Sequence, residues 1–297
     1  MKVEVTKVDK LKRLLKIIVS GEKFIKAKAE FYAQAAKDIK VAGFRKGAAP
    51  MDVIEKNYGK ALKEEFANHY VSEYYSEALK QENLSPAGMP KIEDVEINDE
   101  SIKFAAHLEI RPELEIDAAA YKGIIINEKF PVVEAQEIDK VVTNIKEGLK
   151  NLAGKDVSDD EAAKWSGHGT IAGLKDSINA EILIEKLRAR RHKVDEQIAK
   201  HLLSVVTLEV PQAEVERYHE ELVHRQIHQL QQRGVSNEDI EKYKKDLEEK
   251  TKDRARDEVK LFYILKAVAD KEGINLSEGA NMGEIVLGYV LSLAEYK

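Results

Sequence analysis

Two hydrophobic periodicities divide the chain. Val3 and Val5 alternate with polar neighbours, and LLKIIVS (Leu14–Ser20) follows, which predicts two strands joined around Asp9-Lys10. Ser20-Gly21-Glu22 then opens a helical pattern with Phe24, Ile25, Ala29 and Tyr32 on one face, fading near Asp38. Pro50 suits the start of a second helix, which runs from Met51 to about Gln81 through Ile54, Leu62, Phe66, Tyr70 and Tyr74. A break is expected in it near Tyr58-Gly59. After the loop SPAGMP (Ser85–Pro90), Ile92–Ile97 and Ile102–Ile110 return to strand patterning. The order is ββααββ, so residues 1–112 predict an α+β domain.

The pattern then changes. Residues 113–133 look extended, with GIIIN (Gly123–Asn127) as a strand and Pro131 as a stop, and are taken as a connecting arm. From Glu134 to the end the spacing is helical. Ile138, Val141, Val142, Ile145 and Leu149 form one stripe, and a break spans Asn151–Asp160. Thr170 is placed to cap a long helix through Ile171, Leu174, Ile178, Ile182, Leu187, Val194, Ile198 and Leu202. Pro211 begins another with Val215, Tyr218 and Leu222. Ser236, with Asp239 three residues later, reads as a capping box for a last helix running to about Asp270, which is roughly 50 Å long at 1.5 Å per residue. Between Tyr243 and Val259 nearly every residue of that helix is charged. Two readings follow: a solvated helix supported by i,i+4 ion pairs, or a helical arm offering a shallow mixed surface to a partner. The second is preferred, because a compact bundle would bury more of the helix.

Charge sharpens this division. The net charge is −6, yet residues 1–50 hold 13 Lys and Arg against 5 Asp and Glu. A basic leading segment on an acidic body suits contact with a polyanion at one end, although a lysine-rich solvated face would give the same count. A length of 297 residues is compatible with about two domains. No run of about 18 apolar residues occurs, and MKVEVTKVDK has no signal-peptide core. There are no cysteines, so disulfides and thiol chemistry are excluded, and a cytoplasmic location is expected.

Few motifs suggest catalysis. His219, His224 and His228 share one helical stretch, but only His224 and His228 have clip spacing and no carboxylate completes a metal set. Surface histidines are the simpler reading. SGHGTIAG (Ser166–Gly173) has three glycines but no preceding strand, so it reads as a turn and helix start rather than a dinucleotide loop. No phosphate-binding loop, nucleophile elbow or carboxylate pair appears. No cofactor is expected, and the chain is read as a non-enzyme.

VAGFRKGAAP (Val41–Pro50) remains to be explained. Gly43 and Gly47 allow backbone conformations closed to other residues, which permits a tight protruding tip. Phe44 beside Arg45 and Lys46 is then an apolar anchor with two anion-seeking cations. Alternatively, Phe44 folds back on the helix that starts at Met51. GFRKGAAP resembles the GFRKG-x-x-P signature of bacterial trigger factor, matching at Gly43, Phe44, Arg45, Lys46, Gly47 and Pro50. MDVIEKNYG (Met51–Gly59), PAGMP (Pro86–Pro90) and EIRPELEI (Glu109–Ile116) follow in family order.

The resemblance implies an α+β N-terminal ribosome-binding domain (1–112), a connecting arm (113–133) and an elongated all-α chaperone body with helical arms (134–297). It implies that Gly43, Phe44, Arg45, Lys46 and Gly47 meet a large-subunit ribosomal protein and adjacent ribosomal RNA near the exit tunnel. It implies holding of nascent or unfolded polypeptides, expected to be ATP-independent because no nucleotide motif occurs, and makes a weak homodimer plausible. Family members usually insert a prolyl isomerase domain after the helix matching Glu134–Lys150. Here only a short linker at 151–160 occupies that place, so isomerase activity is not expected. A helical scaffold that never meets ribosomes is the alternative.

Overall fold

The computed structural model describes residues 1–45, 47–275, 277 and 279–297. They divide into two compact units, each built from non-contiguous chain: residues 1–114 with 208–263, and residues 115–207 with 264–297.

The first unit begins with the expected ββααββ order: β1 (Lys2–Lys7), β2 (Lys12–Ser20), α1 (Glu22–Ala36), α2 (Met51–Gln81), β3 (Lys91–Ile97) and β4 (Ser101–Glu109). The strands form an antiparallel sheet in the order β1-β2-β4-β3. Period-two alternation aims Leu15, Ile17 and Val19 of β2 into the core, beside their β4 partners Ala106, Phe104 and Ile102. The helices fill that core from one side. Phe66 of α2 meets Phe24 and Phe31 of α1 edge-on, at 5.7 and 5.5 Å between ring centroids.

Helix α2 runs unbroken through Gly59, contrary to the expected break. A glycine costs a helix interior about 1 kcal/mol. Burying Ile54, Leu62 and Phe66 on either side recovers about 1.5–3 kcal/mol for each side chain, so tertiary packing decides.

The rest of the first unit is the helical pair α6 (Gln212–Gln232) and the front of α7 (Asn237–Glu272). Val215 and Leu222 of α6 bury against Ala255, Val259 and Tyr263 of α7. Four contacts join this pair, with the segment that leads into α6, to the sheet domain. The Ala213 amide donates to Glu109 Oε2 at 2.9 Å, and Lys10 pairs with Glu209 at 2.6 Å. Arg111 approaches Glu214 at 3.6 Å, and a Cβ on Gly88 would come within 3.0 Å of that of Ala213.

The second unit contains a 3₁₀ turn (Ala118–Ala120), β5 (Ile125–Ile126), α3 (Ala135–Ala153), α4 (Asp159–Trp165), α5 (Ile171–Val205), the end of α7, α8 (Met282–Ser292) and β6 (Glu295–Tyr296). Val142 of α3, Ala163 of α4, and Leu174 and Ile178 of α5 share one core. Thr170 caps α5 as expected, accepting from the Gly173 amide at 3.2 Å. Within the expected break, residues 151–153 still belong to α3, and α4 starts one residue after Ser158, whose capping box with Glu161 sets that start. GIIIN supplies only the two-residue β5, which pairs in parallel with β6.

Candidate functional site

The tip lies in the loop between α1 and α2, and the chain pins its base. Val41 is buried in the core of the sheet domain, and Tyr58 Oη, two turns into α2, donates to the Lys40 carbonyl at 3.0 Å. Pro50 opens α2, its carbonyl accepting from Val53 and Ile54 at 3.1 and 3.2 Å. Between these anchors the chain turns twice, with the Phe44 amide bonded to the Val41 carbonyl and the Ala48 amide to the Arg45 carbonyl.

Gly43 and Gly47 have φ of +88° and +79°, the left-handed region that disfavours a side chain. Gly47 also lies so close to Lys37 that a Cβ would come 3.3 Å from its carbonyl oxygen. Phe44 is 43% exposed and Arg45 is exposed, so the aromatic is not folded away into the core. Lys46 lies outside the described residues. The structure thus holds Gly43, Phe44, Arg45 and Gly47 on one short, base-anchored tip.

The other motifs carry less. His219 Nε2 is engaged with the Glu248 carbonyl at 2.8 Å, which ties α6 to α7. Among the described residues no group of three or more His, Cys, Asp or Glu is arranged to hold a metal. Likewise no helix there is long and apolar enough to cross a membrane.

Sequence reasoning did not find a set of exposed apolar residues in the second unit: Phe130 and Val132 (both 69% exposed), Leu152 (84%) and Trp165 (70%), with Ile184 half-exposed; Leu187, expected on the apolar stripe of α5, is exposed as well. Their signal was weak, because a single apolar residue, whether on a helix pattern or in an extended arm, reads as core until its neighbours are placed. Arg190 lies 4.0 Å over the Phe130 ring and donates to the Glu128 and Lys129 carbonyls, holding that segment along α5.

A four-stranded antiparallel sheet backed by two helices, with a glycine-bounded tip between them and a mostly helical remainder, defines a two-part α+β and helical class. The comparisons give the family. Residues 1–145 match the profile described as bacterial trigger factor protein, and residues 170–280 match that of the bacterial trigger factor C-terminus. The chain belongs to the bacterial trigger factor family.

It is similar to the trigger factor of Nitrosococcus oceani, 33% identical over 148 residues, covering 50% of this chain and 33% of that one. Similarity to the Clostridium kluyveri trigger factor is 32% over 149 residues, covering 50% and 34%. These two matches span about a third of the relatives' own length. The trigger factor of Desulfatibacillum aliphaticivorans aligns at 25% identity over 372 positions, covering 94% of this chain and 85% of that relative. Because 372 positions exceed the whole of this chain, that relative carries stretches with no counterpart here. A solved structure described as showing promiscuous substrate recognition in folding and assembly by the trigger factor chaperone shares the fold. Its TM-score is 0.52 at 16% identity, covering 98% of this chain and 94% of that one.

Proposed function

We propose that this protein is an ATP-independent, cytoplasmic, ribosome-associated chaperone that holds nascent or unfolded polypeptides. Residues 1–112 serve as the docking domain, 113–133 as a connecting arm and 134–297 as the client-holding body. The observation that carries the reading is Phe44, exposed between two left-handed glycines on a tip whose base is pinned by Val41 and Tyr58. An aromatic anchor with Arg45 and Lys46 beside it suits a protein surface bordered by RNA phosphates. Phe130, Val132, Leu152 and Trp165 offer scattered apolar patches for clients, which accept many sequences and hold none tightly.

The test replaces Phe44, Arg45 and Lys46 together with alanine. Co-sedimentation with ribosomes should be lost, while the circular-dichroism spectrum, the melting temperature and suppression of client aggregation stay unchanged. Wild-type binding should also weaken with salt, since the Debye length is about 8 Å near 0.15 M. Early melting of the variant would make the tip a structural element and remove the docking assignment. Absence of the wild type from the ribosome pellet would favour a scaffold protein instead. Sedimentation across a concentration series reads the weak homodimer.

The same reading excludes prolyl isomerisation. Between Ala153 and Asp159 the chain has only a short turn and cap, too little to wall a proline-sized apolar pocket. A tetrapeptide assay should show no acceleration with added protein; acceleration that scales with its concentration would overturn this.

A further inference from the structure

The extended segment 123–133 of the second unit must place its main-chain carbonyls somewhere. β6 takes the first of them. The Glu295 amide donates to the Ile124 carbonyl at 2.9 Å and the Lys297 amide to that of Ile126 at 3.1 Å. The Ile124 and Ile126 side chains are buried. Among the described residues this ladder ends at Ile126, and side chains of α5 serve the rest. Gln197 Nε2 donates to the Ile125 carbonyl at 3.0 Å, and Lys186 Nζ to that of Val132 at 2.8 Å. Between them, Arg190 donates to the Glu128 carbonyl at 3.0 Å and to the Lys129 carbonyl at 3.1 Å. The three donors follow one another along one face of α5. They meet the carbonyls in reverse order, so the segment runs antiparallel to the helix.

Two features of this arrangement exceed simple anchoring. Side chains of an extended chain alternate, so Phe130 and Val132 share the parity of the buried Ile124 and Ile126. Both are nevertheless exposed. Carbonyls of successive residues in an extended chain point to opposite sides, yet the one guanidinium of Arg190 reaches those of Glu128 and Lys129. It can bond both only where the chain has rotated about its own axis. The rotation falls between the buried pair and the exposed pair, at the residues Arg190 holds. Arg190 also lies 4.0 Å over the Phe130 ring and 5.4 Å over that of Tyr296, and the two rings are 6.1 Å apart.

We propose that Arg190 is a positioning residue for client holding: its fork rotates the chain at 128–129, so that Phe130 and Val132 stand outward as an apolar ridge. Stability alone does not select this arrangement. The buried Ile124 and Ile126 already fix one end of the segment, and the capping box of Glu134 and Glu137 at the start of α3 fixes the other. Turning Phe130 and Val132 inward would remove apolar surface from water, whereas the clamp keeps that surface exposed. The fork itself is required, because a lysine ammonium has no planar pair of donors to span two carbonyls. The clamp also shapes how a client is met. Carbonyls at 128, 129 and 132 are engaged by α5, so the ridge offers side chains and no open strand edge. A client is then held through apolar contact without being drawn into a growing sheet.

The inference rests on the chaperone reading for the client. The test uses the full chain with a photo-crosslinking residue in place of Val132, and labelled, reduced and carboxymethylated α-lactalbumin as the unfolded probe. A second form carries the crosslinker in place of Leu152, which is exposed at the opposite end of α3 from the segment and serves as the reference. Arg190→Met keeps the length of the side chain and removes its donors. It should cut crosslinking from position 132 by roughly threefold or more. Crosslinking from position 152, the melting temperature and the helical circular-dichroism signal should stay unchanged. Arg190→Lys keeps the charge without the fork and should behave like Arg190→Met. Equal crosslinking from position 132 in wild type and Arg190→Met overturns the assignment. Wild-type crosslinking in Arg190→Lys traces the effect to charge and overturns the clamp. A fall at both positions, or a fall accompanied by earlier melting, makes Arg190 an ordinary stabilising residue and also overturns it. Failure of the chaperone reading shows separately, as wild-type protein that neither binds the labelled probe by anisotropy nor crosslinks to it from either position.

Discussion

Glu272, the last residue of α7, collects three donors within the second unit. The Tyr121 hydroxyl donates to Oε1, Tyr289 Oη donates to Oε2 at 2.5 Å, and Lys122 Nζ lies 3.0 Å away. Tyr121 is fully buried. The hydrogen bonds from Tyr121 and then Tyr289 and Lys122 favour the carboxylate and hold its pKa down at about 2, from an ordinary value of 4.5. Burial first, and then the bond to Glu272, pushes Tyr121 up to about 12. A lowered carboxylate pKa contributes stability that is fully present above the unfolded value and is lost as pH falls through the folded one. Glu272→Gln should therefore lower the denaturant midpoint of this unit at pH 7, and the gap from wild type should close between about pH 4.5 and pH 2. A gap of equal size at pH 7 and pH 2 would remove the carboxylate as its source. This cluster was not legible in the sequence, because Tyr121 lies 151 residues from Glu272 and neither carries a motif. The tip was legible, since its signature is contiguous from Gly43 to Pro50.

At the scale of elements, the α6–α7 pair turns on a buried contact. Tyr263 Oη donates to Glu214 Oε2 at 2.6 Å, where Glu214 is 8% exposed, and burial and this bond both raise the tyrosine's pKa. Among the described residues, Tyr263→Phe leaves the carboxylate with Arg111, at 3.6 Å, as its charged neighbour. The expected loss is about 1–3 kcal/mol in urea unfolding. Glu214→Gln in the same background should show non-additive coupling; additive losses would make the two residues independent. The pairing itself was only half visible beforehand. The charged run from Tyr243 to Val259 reads as an exposed arm, and most of it is exposed, with pairs such as Lys250–Asp246 at 2.8 Å. Thr251 and Ala255 are nevertheless buried, a stripe too narrow and too small-residued to register in a hydrophobic pattern. The four long strand and helix signals of the first domain were legible because each is regular over many residues. Gly59 misled because propensity was weighed without the packing of Leu62 and Phe66. The capping box Ser158–Glu161 was present in the sequence and marks α4, but a helix of seven residues has too few apolar positions to show a period. β5 and β6 were hidden by their two-residue length and long separation.

At the scale of the molecule, the chain leaves its first unit at Leu114, builds most of the second, returns at Leu208 and crosses again within α7 at Tyr263–Ile264. A cut near residue 114 therefore divides the first unit rather than freeing a whole one. Two cores nevertheless lie entirely in residues 115–297. One is Val142, Ala163, Leu174 and Ile178; the other is Val215, Leu222, Ala255, Val259 and Tyr263. The cut removes Glu109 from the Ala213 amide, Lys10 from Glu209 and Arg111 from Glu214, but no member of either core. The fragment should thus fold, melt below the full chain, and keep the helical circular-dichroism signal. It lacks the tip, so it should not sediment with ribosomes. It keeps Phe130, Val132, Leu152 and Trp165, so it should suppress aggregation of a refolding client measured by light scattering. Trp165, the only tryptophan and 70% exposed, reports fragment folding and client contact by fluorescence. A fragment that folds yet suppresses nothing would place the whole client surface on residues 1–114 and remove the helical body from the holding role.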